Sequence, residues 1–388
     1  MAGSKNKKKK EINLTLVGLG IVAIIVTILI GYPSISDRKQ SPLPFEEIND
    51  PSMELNRGIN LIDKVISDEF YKMGVPQEKI LFLSVIPRRK DGYNWDFNSV
   101  EARIPHRFSI LQIGKEMSAK ISNLRMQAQI KIDKKSDNEI ICNIYYKDFY
   151  THRLRIILDT YPPPHRLSCP RIGIIIDDLG YDSSLANAFI KLDLPLTLSV
   201  LPFTPNTRLI AQKARKEGRE IMLHLPMEPI SYPAINPGDG VLLASMDKGM
   251  ILEMLNRDLS QIPFVAGVNN HMGSRFTENE KKMMIVLAEL KRRGLYFIDS
   301  RTSGASVAFK AAKKMALRTA SRDIFLDNDL SEHALKIQME RLLSLARYKG
   351  RAIGIGHPHK ETLKLLERWQ LTLNNKAEIV PVSNLVSY

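Results

Sequence analysis

What this chain lacks narrows its function before any motif is read. Two cysteines, Cys142 and Cys169, in 388 residues are too few for a disulfide framework. They leave one pairing or two free thiols as the open alternatives. No Gly-x-Gly-x-x-Gly run and no P-loop occurs. The glycine-rich cradles that hold dinucleotides and nucleoside triphosphates are therefore missing, and no nucleotide cofactor is expected. The formal charge of +14 would suit a polyanion, but part of it is confined to Lys5, Lys7, Lys8, Lys9 and Lys10. The remaining basic residues are dispersed, without a dense block interleaved with aromatics, so no nucleic-acid partner is expected.

Residues 12–30 lack charge altogether. A helix of that length, rising ~1.5 Å per residue, nearly covers a hydrocarbon core of ~30 Å. The lysines before it predict a basic cytoplasmic tail over 1–11 and an uncleaved transmembrane signal anchor over 12–30. A cleaved signal peptide is the competing reading. The anchor predicts a single-pass inner-membrane protein whose later residues face the periplasm or the outside, with the membrane itself as a partner.

What is present is an ordinary globular composition, 44% hydrophobic and 25% charged, long enough for about two domains plus a tail. Residues 31–52 hold Pro33, Pro42, Pro44 and Pro51 and read as a linker. Over 53–160 a helical face (54–72), a strand pair (79–87 and 98–104), a second helix (107–124) and three strands (127–132, 139–146 and 151–158) predict a small α+β domain. It shows no catalytic constellation, and His106 and His152 read as surface residues. A proline-rich linker spans 161–170.

From 171 the pattern becomes alternating strand and helix, as in an α/β barrel of seven or eight (β/α) units, with a doubly wound open sheet as the alternative. Helices over 208–217, 278–293 and 332–349 each stop at a glycine, and Thr277-x-x-Glu280 reads as a capping box. The β-branched run Ile172-Gly173-Ile174-Ile175-Ile176 ends abruptly in Asp177-Asp178. Adjacent carboxylates repel, so either a bound cation compensates them or they cap the following helix near Ser183. Polar groups recur at later strand ends: His224, Asn269-Asn270-His271, Asp299-Ser300-Arg301 and His357-Pro358-His359. Barrel strands deliver such tips to one mouth.

The segments IIIDDLGYD, REIMLHLPMEP, VNNHMGSRFT, YFIDSRTS, RDIFLDN and IGIGHPHKET, in that order over 170–388, resemble the divergent polysaccharide deacetylase family. The resemblance implies an irregular (β/α) barrel over 171–388 and metal-assisted hydrolysis of an acetyl amide or ester on a polysaccharide. It makes Asp177 the base and Asp178 a metal ligand. The wider superfamily has His-x-x-x-His where this chain has His224-Leu225-Pro226-Met227-Glu228, so the second histidine is replaced by an acid. His271 fills the vacancy, giving an Asp178–His224–His271 site suited to Zn²⁺; Glu228 is the alternative ligand or a loop residue. His357 becomes the proton donor, with backbone N–H groups near Met272-Gly273-Ser274 at the oxyanion. Asn270, Arg275, Asp299 and Arg301 are weaker candidates for orienting substrate, the arginines having salt bridges to Asp299 or Asp327 as their structural alternative. Tyr181 and Phe203 are sugar-stacking or core residues, and His333 and His359 are set aside as outward. The alternative function is a catalytically silent glycan- or envelope-binding scaffold.

Overall fold

The β-branched run after Arg171 forms an interior strand of the larger sheet. Ile172, Ile174, Ile175 and Ile176 are fully buried, as a strand covered on both faces requires. The structure, a computed structural model, describes residues 52–76, 79–105, 108–123, 128–158, 169–372 and 376–388. All of these belong to one compact unit, Leu43–Tyr388.

The first elements are α1 (Met53–Lys72), β1 (Ile80–Lys90), β2 (Tyr93–Ile104), α2 (Ile110–Ser122), β3 (Ala128–Ser136), β4 (Glu139–Tyr146) and β5 (Phe149–Leu158). The strands form one sheet of order β1-β2-β5-β4-β3, parallel between β2 and β5 and antiparallel elsewhere. His152 is fully buried there against Asp63 and Asn98, not on the surface as its basic neighbours suggested. His106 lies outside the described residues. Cys142 and Cys169 are both free.

The second half alternates: β6 (Arg171–Leu179), α3 (Ser183–Lys191), β7 (Thr197–Val200), α4 (Thr207–Lys216), β8 (Glu220–Met227), α5 (Lys248–Gln261), β9 (Gly267–Met272), α6 (Glu280–Arg292), β10 (Tyr296–Asp299), α7 (Ala308–Lys314), β11 (Thr319–Ser321), β12 (Ile324–Phe325), α8 (Glu332–Lys349), β13 (Arg351–Gly356), α9 (Lys360–Thr372) and β14 (Glu378–Ile379). The parallel strands run β11-β10-β9-β8-β7-β6-β13-β12, with β14 added beside β6. Only Arg322 and Asp323 separate the two edge strands in sequence, yet no ladder joins them among the described residues. Arg322 donates its backbone N–H back to Asp299 and Asp323 donates to Ile353, so each edge bonds inward to its own neighbour. The expected barrel is therefore a curled half-barrel with an open seam, not a closed ring. Asn279, accepting from the Lys282 N–H, caps α6 in place of Thr277, whose hydroxyl donates to Gly273 O.

The expected localisation needs correction. The proposed anchor at 12–30 lies outside the described residues, as do the tail and most of both linkers. Among the described residues no helix is long and apolar enough to cross a membrane, so a single-pass inner-membrane placement is not supported.

Candidate metal centre

In a regular strand Asp177 and Asp178 would face opposite sides of the sheet. Pairing of β6 with β7 slips between Ile176 and Leu179, and Asp178 takes a φ of 54°. That bulge re-aims the chain so both acids line one pocket at the carboxyl ends of the strands. Gly180 follows because a Cβ there would stand 2.1 Å from Thr204 Oγ1. The helix-cap reading fails on a direct observation: Asp182 accepts from the N–H groups of Ser184 and Leu185 and caps α3 itself.

Three atoms converge in the pocket. Asp178 Oδ1 lies 3.0 Å from His224 Nε2 and 2.9 Å from His271 Nδ1. The two nitrogens are 3.2 Å apart. Ligand atoms around a tetrahedral ion with bonds of ~2.0 Å sit ~3.3 Å from one another, so the triangle fits a metal in size. Asp178 Oδ1 is buried and makes no aligned hydrogen bond despite these short contacts. A lone pair held in that way suits coordination better than pairing. Among the described residues this trio is the group whose ligand atoms gather closely enough to hold an ion. Two imidazoles and one carboxylate are a donor set suited to Zn²⁺.

Asn269 organises the surroundings. Its Oδ1 accepts from Ser199 Oγ at 2.6 Å and faces His224 Nδ1 at 3.0 Å. This leaves the proton on Nδ1 and turns the Nε2 lone pair toward the trio. The amide nitrogen donates to both oxygens of Asp177, at 2.9 and 3.0 Å. One side chain thus sets a histidine tautomer and fixes the second acid. Across the pocket His357 Nδ1 stands 2.8 Å from Asp327 Oδ1, and the His357 backbone N–H donates to Oδ2. Thr362 Oγ1 donates to the same Oδ2 at 2.6 Å. Phe325 lies along the His357 ring with centroids 5.8 Å apart.

Charge separates the two acids. Burial, helped by the Asp178 charge, pushes Asp177 above the usual carboxylate range against the pull of His224 and His357. Burial acts on Asp178 too, but His271 and His224 outweigh it and hold that carboxyl well below its ordinary value. Burial opposes the charged form of His224, while Asp177 and Asp178 together raise it. His357 also loses water, yet the Asp327 carboxylate raises it to about 10.

The other candidates divide. Glu228 is taken up by its loop, one oxygen 2.9 Å from Arg275 Nη1 and the other accepting from the Ala244 N–H. Arg275 also donates to Ile230 O, so neither residue turns to the trio. Asn270 lines the pocket, but its amide is committed, donating to Met272 O and accepting from the Ser300 N–H. Asp299 accepts from the Arg301 N–H, Ser306 Oγ and the Phe309 N–H. It therefore holds a loop and, among the described residues, pairs with no arginine, while Asp327 is engaged by His357. Arg301, at a φ of 52°, lies in a neighbouring cleft. Met272 lines the pocket, whereas Ser274 Oγ accepts from the Ile230 N–H. Tyr181 and Phe203 are half-buried and absent from the lining. His333 is exposed, and His359 is half-buried beside His357. The sequence marked Asn269 only as one of the strand-end polar groups, without a role, and set Asp327 against the arginines and not against His357. Strand alternation carried the signal for the first, since Asn269 is two residues from His271 and must share its face.

A family model described as divergent polysaccharide deacetylase matches residues 174–386. The uncharacterized protein YibQ of Escherichia coli K12 is 34% identical over 217 residues, covering 56% of this chain and 67% of that protein. An uncharacterized protein of Haemophilus influenzae Rd is 33% identical over 215 residues, covering 55% of this chain and 76% of its own length. Among solved structures, the crystal structure of the uncharacterized protein ATU2773 from Agrobacterium tumefaciens C58 is 30% identical with a TM-score of 0.54. That match covers 58% of this chain and 92% of the other.

Proposed function

The chain belongs to the divergent polysaccharide deacetylase family, and on that premise we propose that it is a metal-dependent hydrolase removing N- or O-acetyl groups from a polysaccharide. The observation that carries this reading is the triangle of Asp178, His224 and His271, with edges of 3.0, 2.9 and 3.2 Å. A divalent ion held there, Zn²⁺ by its donor set, supplies Lewis acidity toward a carbonyl and toward a water.

The chain's own groups divide the proton work. Asp177, raised by burial and gripped by the Asn269 amide, accepts a proton from the attacking water. Its neighbour Asp178 stays ionised as a ligand, so two adjacent carboxylates serve two roles. His357 carries a proton at neutral pH and gives it to the departing nitrogen or oxygen. Asp327 fixes the ring through Nδ1, which leaves Nε2 as the donating atom. The burial of the lining residues excludes bulk water and strengthens each of these interactions.

The test is acetate release from a panel of N- and O-acetylated oligosaccharides by the zinc-loaded full chain. Release is expected, with loss of at least ~10²-fold in Asp177→Asn and in His357→Gln while about one zinc per chain stays bound. A filled zinc site with no release across the panel would overturn the hydrolase and favour a glycan-binding scaffold.

A further inference from the structure

A second cleft adjoins the metal pocket, and Thr302 and Phe325 line both. It encloses about 470 Å³, part of it open solvent. Its walls come from both halves of the molecule. Arg88 of β1 and Asp96 of β2 face it from one side, Arg301 and Arg322 from the other.

We propose that this cleft is a subsite for an anionic substituent, a carboxylate or a phosphate, carried by the same glycan whose acetyl group lies at the metal centre. The position of that acetyl group rests on the hydrolase reading; the charge preference of the cleft does not. Three arginines against the single aspartate Asp96 among its lining residues make the wall of the cleft net basic. The Arg88 guanidinium carbon stands 3.9 Å over the Phe97 ring and 5.4 Å from that of Tyr150. Stacking occupies the face of a guanidinium and leaves its in-plane N–H donors free to grip an oxyanion. Arg322 lies 3.7 Å over Phe325 and donates to the carbonyls of Ser300 and Arg301, making it a fixed charge that braces the Arg301 backbone.

The wall supplied by β1 and β2 is anchored at the mouth. A Cβ on Gly304 would lie 2.9 Å from the Arg88 carbonyl carbon, so glycine alone allows this approach of loop and strand. One residue on, Arg89 pairs with Glu278 at 2.5 Å, and Glu278 accepts from Ser303 Oγ in the same loop. Residues 80–104 lie outside the 174–386 that the family model covers. The cleft therefore joins a wall outside the matched residues to Arg301 and Arg322 within them.

The experiment is calorimetric binding to the full chain, without zinc, of three acetylated tetrasaccharides of equal length. One bears uronate carboxylates, one phosphate groups, and one is the carboxyl-reduced neutral counterpart. At least one anionic probe should bind about tenfold tighter than the neutral one at low salt, with the margin shrinking as salt rises. The tighter of the two identifies the source of the charge. Arg88→Gln and Arg301→Gln should each remove most of the margin, Arg301→Lys should restore part of it, and zinc stoichiometry should not move. Equal binding of all three probes, or a margin untouched by both glutamine variants, would overturn the subsite. A preserved margin in a protein that releases no acetate would support the subsite and count against the hydrolase alone.

Discussion

Asp63 with His152 in the five-stranded half is a fully buried acid–histidine cluster, and Asp178 with His224 and His271 at the half-barrel mouth is a largely buried one. They differ in what compensates the acid. Asp63 is ion-paired with Arg341 from α8, and its other oxygen is 3.1 Å from His152 Nε2. The second nitrogen of His152 meets Thr151 Oγ1 at 2.9 Å. Burial would raise Asp63, but Arg341 and His152 hold it below its ordinary value. Around Asp178 no lysine or arginine among the described residues lines the pocket, and close by are two more potential ligands. Asp258 shows a third outcome: fully buried with neither oxygen hydrogen-bonded, it is pushed by burial up to about 8 and stays neutral below that. A buried acid met by an arginine is a lock between elements, and one met only by imidazoles has room for a cation.

That contrast can be broken in four ways, from the largest expected effect downward. His271→Ala should abolish tight zinc binding, a loss of more than ~10²-fold by competition with a chelator, since the triangle loses a corner. His152→Ala should leave zinc affinity unchanged; a comparable loss there would erase the distinction. Arg341→Met strands a buried carboxylate and should cost roughly 3–5 kcal/mol in urea unfolding, with zinc stoichiometry intact in the folded fraction. The third concerns His357, whose folded value of about 10 lies above its ordinary 6.5. A raised cationic group stabilises fully below ~6.5 and loses that contribution as pH climbs through about 10. Wild type should therefore exceed Asp327→Asn by roughly 2–4 kcal/mol at pH 6, a margin that closes by pH 10.5. A margin that is flat across this range would detach His357 from Asp327. Asn269→Ala, which removes only the group orienting His224 and Asp177, should weaken zinc roughly 10–100-fold, the smallest of the four effects.

Much of the site was legible because strand ends are local features. The uninterrupted apolar run before Asp177, and the histidines that close β8 and β9, mark the carboxyl termini of buried strands, where the parallel sheet collects polar groups. Other parts were illegible for physical reasons. The sequence left no signal for β12, two residues long, because so short a strand has no period. His152 read as exposed because its neighbours Arg153 and Arg155 are polar, yet alternation places it on the opposite face, toward Asp63. Thr277 matched a capping box by spacing, but a short turn over Phe276–Glu278 moves the helix start to Asn279.

The sequence by itself determined the alternation of strand and helix after residue 171, the acid pair at the end of the first strand there, and the histidines that close later ones. Each depends on a few adjacent residues and needs no distant partner. Only the tertiary structure decided that His271 and not Glu228 completes the triangle. His224 and His271 are 47 residues apart, and their nitrogens come within 3.2 Å because β8 and β9 lie side by side in the sheet. Glu228, the residue after β8, is held by Arg275 and the Ala244 N–H. Likewise the bulge at Asp177-Asp178, which brings two neighbouring acids to one pocket, comes from the slipped pairing of β6 with β7, a contact between strands.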